Sequence, residues 1–415
     1  LYDWAHSSFT TLVVTFVYAT YFTKAIAPDV ITGTVWWSRS VTVAALVVAL
    51  SSPVLGALAD VAGLRRRLLL LTTAGCVAAT AALFWVTPGR PNAALVALAL
   101  FTVANIGFEL ANVFYNAYLP DVVTRERIGR VSGYGWGLGY LGGLACLVLA
   151  LVGFVQPESP WFGLSKAGGE NVRATNLMVA VWFALFSVPL LLVARGESRL
   201  GARADVRGAL EGLGRTLHEL GRFREAAKLL LARVFYNDGL STIFAFGGIY
   251  AAGTFGMGFE EILVFAIAIN VAAGLGALAF GFVDDRIGGK RTVLLSVAAL
   301  TLATAVAVWA PTRAWFWASG MLIGLFAGPN QSGSRSLMGR FVPEGRQSEF
   351  FGFFAFSGKL AVFLGPLLLG AVTESAGSQR AGIATVLAFF LVGGALLAAV
   401  DERRGIEAAR LETPA

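Results

Sequence analysis

The chain has 415 residues, is 57% apolar and only 14% charged, and has a mean hydropathy of +0.72. Soluble domains run nearer half apolar and a quarter charged, and a single soluble core stops growing well below this size, so a soluble enzyme is excluded. The net charge of +7 does not indicate nucleic acid, because the basic residues are spread over short loops between apolar runs.

About 20 apolar residues are needed to cross a bilayer as helix. Scanning with a window of that length predicts twelve spans. The first six are 1–25, 38–59, 68–86, 93–118, 131–154 and 175–194; the second six are 229–254, 262–283, 292–310, 314–337, 350–373 and 382–400. The runs are continuous and do not alternate, which excludes membrane strands. The chain opens on Leu1 and enters an apolar run at once, so a few residues are expected to precede it; no cleavable signal peptide is evident.

Arginines crowd one set of loops: Arg65 to Arg67, Arg125 to Arg130, the stretch 195–233, Arg286 to Arg291, Arg340 with Arg346, and Arg403 to Arg410. By the positive-inside rule this set is cytoplasmic, which places both termini inside. The expected organisation is an N-terminal six-helix bundle (1–195), a cytoplasmic linker (196–228), a C-terminal six-helix bundle (229–401) and a cytoplasmic tail (402–415). Leu210, Leu213, Leu217 and Leu220 have helical spacing in the linker and predict an amphipathic helix along the membrane surface. Cys76 and Cys146 lie inside apolar runs, and His6 and His218 are the only histidines, so no metal site, disulfide framework or cofactor is expected.

The segment after the second span, Gly56-Ala-Leu-Ala-Asp60-Val-Ala-Gly63-Leu-Arg65-Arg66, returns after the eighth as Gly281-Phe-Val-Asp-Asp285-Arg-Ile-Gly288-Gly-Lys290-Arg291, at an offset of 225. Asp3 to Phe9 echoes Asp238 to Phe244, and Pro120…Gly142 echoes Pro343…Gly365. A six-plus-six duplication is how rocking transporters are built. The repeated pattern resembles the cytoplasmic loop motif of the major facilitator superfamily. That likeness implies an all-α membrane protein with the major facilitator fold, twelve transmembrane helices in two pseudo-symmetric bundles. A carboxylate at a helix end, offered to cations or to another helix terminus, makes a breakable latch, with glycines for the tight turn. Asp60, Gly63, Arg65, Arg66, Asp285, Gly288, Lys290 and Arg291 are therefore expected at a cytoplasmic gate or latch, with Asp3 nearby.

Narrower signals lie in Tyr2-Asp3-Trp4-Ala5-His6-Ser7, Phe114-Tyr-Asn-Ala-Tyr-Leu-Pro-Asp121, Gly133 to Gly143, Tyr236-Asn-Asp-Gly239, Gly247 to Gly253, Ser334-Arg-Ser336 and Phe350-Phe-Gly-Phe353. These resemble the unknown-major-facilitator family, which includes a vacuolar amino-acid effluxer. His6 stands where that pattern leads one to expect Asn. The resemblance implies solute efflux, with amino acids as the substrate class.

Ionisable groups inside spans are costly and mark pathways. Asn105, Glu109, Asn112 and Asn116 share one face of span four, and a polar stripe cannot face lipid. It either lines a cavity or bonds to neighbouring helices. Glu109 is the candidate proton carrier. Lys359, near mid-span eleven, either holds a substrate carboxylate or pairs with Glu109 or Asp238. Arg335, with Gln331 a turn before it, is a candidate gate or substrate-anion contact. Asp238 is placed near the end of span seven and Asn270 alone in span eight. The glycine run at Gly133 to Gly143 is expected to mediate close helix contact.

With no Walker loop or nucleophile motif, the expectation is a non-enzymatic secondary transporter. It would act as a monomer in the bacterial inner membrane, moving a small molecule by alternating access, with protons as a candidate coupling partner. The alternatives are a lipid or amphiphile flippase, a multidrug-type exporter, and a receptor on the same fold.

Overall fold

The computed structural model describes residues 1–194, 214, 221–360 and 363–411. The linker leucines Leu210, Leu213, Leu217 and Leu220, with His218, lie outside them. Among the described residues the chain is helical, in twelve long rods and one short tail helix. In the first half these are α1 (Tyr2–Ile26), α2 (Val30–Val61), α3 (Arg65–Trp85), α4 (Ala93–Val122), α5 (Ile128–Val155) and α6 (Ala167–Val193). The second half holds α7 (Arg224–Phe255), α8 (Phe259–Ile287), α9 (Gly289–Trp309), α10 (Arg313–Phe341), α11 (Gln347–Ala376), α12 (Gln379–Ala398) and the tail helix α13 (Glu402–Arg410).

Ten of the twelve rods are long and apolar enough to cross a membrane by length and composition. The other two are α7 and α10, and the reason is chemical. Arg233, Asn237 and Asp238 interrupt α7, and Asn330, Gln331, Ser332, Ser334 and Arg335 interrupt α10, all of them except Gln331 buried. Such residues inside a long rod must be satisfied by protein rather than lipid. Arg233, at the end of the basic stretch 195–233 and inside the predicted span 229–254, is 8% exposed within α7. Conversely Leu50, Leu71, Leu95, Val181, Leu302 and Leu391 are exposed, as suits surfaces a bilayer covers.

The chain divides into two compact units. The first comprises Leu1–Ser51, Gly63–Tyr115 and Leu138–Ala202; the second comprises Ser52–Ala62, Asn116–Gly137 and Arg203–Ala415. The ends of α2 and α4 and the start of α5, with Arg125, Arg127 and Arg130, thus belong to the second unit together with α7 to α13, whereas Arg65 to Arg67 belong to the first.

Inside the first unit, the glycines of α5 let α1 approach. A Cβ on Gly139, Gly142 or Gly143 would collide with Ser7, Trp4 or Thr11, which is the close packing that small residues permit. α1 contains π-type turns over Phe9–Phe16 and Phe22–Ile26; the Val17 N–H reaches the Leu12 carbonyl at 2.9 Å. In the second unit an aromatic cluster, Tyr250, Phe265 and Phe316 with Leu369 and Ile383, packs at the helix ends away from the arginine loops. There the Tyr250 hydroxyl donates to the Ala307 carbonyl at 3.0 Å.

α11 has two helical segments, Gln347–Leu360 and Leu364–Ala376. α5, its counterpart, is continuous over Ile128–Ala150. These helices open at Ile128 and Gln347, one turn out of step with the Pro120/Pro343 echo in the sequence. Packing, described next, follows the helix starts.

Candidate functional site

The repeated motif builds two copies of one device, both inside the second unit. Asp60, at the end of α2, is 8% exposed. It accepts the N–H groups of Ser348 at 3.1 Å and Glu349 at 2.8 Å, which open α11. These are orphan donors at the positive end of the helix dipole, where a carboxylate is favoured. Gly56 lies one turn earlier, where any Cβ would strike the Ser348 carbonyl. Asp285, at the end of α8, does the same to α5: it accepts the Arg130 N–H at 3.2 Å and the Arg130 Nε at 2.5 Å. Gly281 gives room for the Arg130 backbone. A further turn back, Gly352 meets the Ser52 carbonyl and Gly133 meets the Ala277 carbonyl. Ser52 and Ala277 are again 225 positions apart.

The motif's glycines shape the turns. Gly63 and Gly288 adopt φ of +63° and +91°, a region that favours glycine. Arg65 is buried at the start of α3, and Arg291 is exposed on α9. Arg66 donates to the Leu191 carbonyl at 3.1 Å in the first unit, and Lys290 donates to the Ala398 carbonyl at 2.8 Å.

Around the two carboxylates lies a buried polar layer. Arg335 of α10 is 4% exposed. Its Nε donates to Ser132 Oγ at 2.9 Å, one terminal nitrogen donates to the Ser132 carbonyl at 2.7 Å, and the other donates to Asn116 Oδ1 at 3.2 Å. The Trp136 ring lies 5.8 Å from the guanidinium. Ser132 also donates to the Ser332 carbonyl at 2.7 Å, and Gln347 donates to Asp121 at 2.9 Å. Asn116, grouped in sequence with the span-four stripe, therefore meets Arg335 at the arginine-loop end and is separated by unit from Asn105, Glu109 and Asn112.

Sequence reasoning singled out Asp285 and passed over its neighbour. Asp284 is 2% exposed and pairs with Arg340 at 2.6 Å, while Ser336 donates to its other oxygen. The signal was the adjacent acidic pair, since the first copy of the motif has Ala59 at this place. Arg130 carried no signal beyond a basic loop, and Ser132 none beyond the start of the fifth span.

A second polar layer follows α7. Arg233 donates to the Phe354 carbonyl at 2.7 Å and to Ser357 Oγ at 3.1 Å, over the Phe354 ring. Asn237 Oδ1 accepts from Gln331 at 3.4 Å, and the Tyr236 hydroxyl bonds Ser334 at 2.8 Å. Asp238 is 1% exposed and accepts the Gly365 N–H at 2.8 Å, at the opening of the second segment of α11. Lys359, half-buried, sits in the last turn of the first segment. Asn270 bonds its own helix, donating to the Ala266 carbonyl at 2.8 Å.

The first unit has its own layer. Asp3 accepts the Tyr115 hydroxyl at 2.5 Å, and His6 Nε2 lies 3.3 Å from its other oxygen. His6 also meets the edges of Phe108 and Tyr115. Asn105 is buried, and Glu109 and Asn112 are partly so. Gly107 presses on the Thr72 carbonyl of α3, so the Asn105/Glu109/Asn112 stripe lies on the other side of α4.

A family model described as "Vacuole effluxer Atg22 like" matches residues 31–410. An uncharacterized MFS-type transporter, YxiO of Bacillus subtilis, is 27% identical over 97% of this chain and 94% of its own length. Autophagy-related protein 22 of Cryptococcus neoformans is 25% identical over 66% of this chain, and the match spans 53% of that longer protein. Among solved structures, the human organic anion transporter MFSD10 superposes with a TM-score of 0.71 at 17% identity, covering 95% of this chain and 96% of its own. FucP in the outward conformation gives 0.73 at 14% identity, covering 100% and 97%. The fold is that of the major facilitators.

Proposed function

This chain belongs to the Atg22-like vacuole-effluxer family and is a transporter of the major facilitator type, and from that premise we propose that it exports an amino acid or related metabolite by alternating access, coupled to protons. The observation that carries this reading is the twice-built latch. Asp60 and Asp285 each hold the first turn of a helix through a few charge-assisted hydrogen bonds. Such bonds are strong enough to close a gate, yet weak enough to exchange for water during a cycle. A carboxylate on a helix terminus is a switchable contact; an apolar seam would not be.

Residue chemistry supports the substrate class: Lys359 is a cation suited to a carboxylate, and Glu109, Asn105 and Asn112 supply acceptors suited to an amine or a proton. Asp238, Asn270 and Gln331 belong to the same pathway, and the loops rich in arginine face the cytoplasm. Arg335 acts at the gate rather than on substrate. Purified protein in liposomes is expected to move amino acids in response to a pH gradient, with Glu109→Gln and Lys359→Ala each lowering the flux by at least about tenfold. Undiminished flux in both variants would remove these residues from the pathway.

A further inference from the structure

The last helix, α13, packs against the latch rather than trailing from it. Glu402 opens α13, and its two carboxylate oxygens accept the N–H groups of Gly289 and Lys290, each at 3.0 Å. Those donors open α9, directly after the turn at Gly288, where a Cβ would lie 2.8 Å from Glu402 Oε2. Arg340 stands 3.7 Å from Glu402 while pairing with Asp284 at 2.6 Å, so one guanidinium serves both carboxylates. From α13 the Ile406 carbonyl accepts from Arg125 at 3.4 Å, and the Arg125 carbonyl accepts from Arg340 at 3.3 Å. Arg125 comes from the loop between α4 and α5, in the first repeat.

The base of α13 is held from a second side. The Asp401 N–H donates to Glu225 at 2.6 Å, and Lys228 reaches the Ala399 carbonyl at 3.1 Å. Burial works against the Glu225 carboxylate, yet the Asp401 N–H, Lys228 and Arg224 hold it below the ordinary glutamate range. Gly405 lies against the Phe341 ring, while Arg403, Arg404 and Arg410 face outward.

We infer that α13 is a working part of the gate, with Glu402 as the positioning residue that keeps the Asp284–Arg340 pair and the second latch turn in place. The inference rests on the latch reading above. Glu402 does for α9 what Asp60 does for α11 and Asp285 does for α5. The hydrogen bond from Arg125 ties α13 to the first repeat, so opening the latch must break it. Loss of α13 therefore favours the opened gate without touching the pathway residues.

The test uses the full-length protein in liposomes with Ser348→Cys as a reporter. Ser348 is buried against Asp60, and the native Cys76 and Cys146 are buried. The rate of maleimide labelling then reads gate opening. Glu402→Ala and Arg125→Ala are each expected to raise it, Glu402→Ala by about tenfold, while Arg403→Ala leaves it unchanged. Asp60→Asn serves as the reference and must raise it as well. Wild-type rates in both Glu402→Ala and Arg125→Ala, beside a raised rate in Asp60→Asn, would overturn the role of α13. A wild-type rate in Asp60→Asn would instead sink the latch reading itself. A rise confined to Glu402→Ala and matched by a fall in melting temperature would mark a merely structural cap and also overturn the proposal.

Discussion

α5 and α11 occupy corresponding places in the two repeats, and they agree at one end and part company at depth. At the arginine-loop end each begins under a carboxylate from the neighbouring repeat, Asp285 for α5 and Asp60 for α11, and each carries a glycine one turn on that admits a foreign carbonyl. Deeper in, α5 continues through Gly139, Gly142 and Gly143 against α1, whereas α11 has a second helical start at Leu364, with Asp238 on the Gly365 N–H. The arginine-loop ends of the two helices are thus built alike, and their deeper parts are not. The second motif copy has also acquired a buried ion pair, Asp284 with Arg340, where the first has Ala59.

The largest expected effect breaks that added pair. Arg340→Met leaves Asp284 buried without its counter-charge and is expected to cost about 3–5 kcal/mol of stability. Adding Asp284→Ala, which restores the Ala59 pattern, should recover most of it. Thermal melting of the single and double variants checks this, and a double variant no better than the single would mean the pair is not a unit. Next come the glycines. Gly352→Leu and Gly133→Leu each force a side chain onto a carbonyl of the facing helix, an overpacking of roughly 1–3 kcal/mol. Both should depress transport to a similar degree, whereas Gly139→Leu, at depth, should affect folding instead. Unequal transport losses in the first two would show that the latch halves are not equivalent. The smallest effect is expected from Asp60→Asn and Asp285→Asn. Each keeps a hydrogen-bond acceptor but loses the charge on the helix terminus, at about 1 kcal/mol, or roughly a fivefold shift toward the open gate. Asp285→Asn also releases Arg130.

Much of this was legible in the sequence, because the signals are local. A bilayer demands runs of about 20 apolar residues, and those runs can be counted. A turn that must be tight and must present a carboxylate writes Gly and Asp at fixed spacing, twice. Glycines that admit another helix come one turn apart. By these means the helical architecture, the duplication and the motif carboxylates could be found without coordinates. What each carboxylate would meet could not be. Asp60 finds Ser348, Asp285 finds Arg130, and Glu402 finds Gly289, and such partners are chosen by packing across more than a hundred residues of chain.

Packing likewise decides what shared periodicity and charge leave open. Asn116 sits at helical spacing from Glu109, yet the stripe's periodicity says only that they share a face, not that the face serves one purpose along its length; Arg335 claims its far end. Arg233 carries a charge inside the predicted span 229–254, and the Phe354 carbonyl and ring and the Ser357 hydroxyl help make its burial tolerable. Sequence alone determined that this is a duplicated, membrane-spanning helical protein with a carboxylate at each latch turn. Tertiary structure decided which helix ends those carboxylates hold, that Asp284 and Arg340 are buried together, and that the last helix closes over them. Composition and periodicity are properties of a few turns of chain, whereas a buried hydrogen bond belongs to two segments that only the fold brings together.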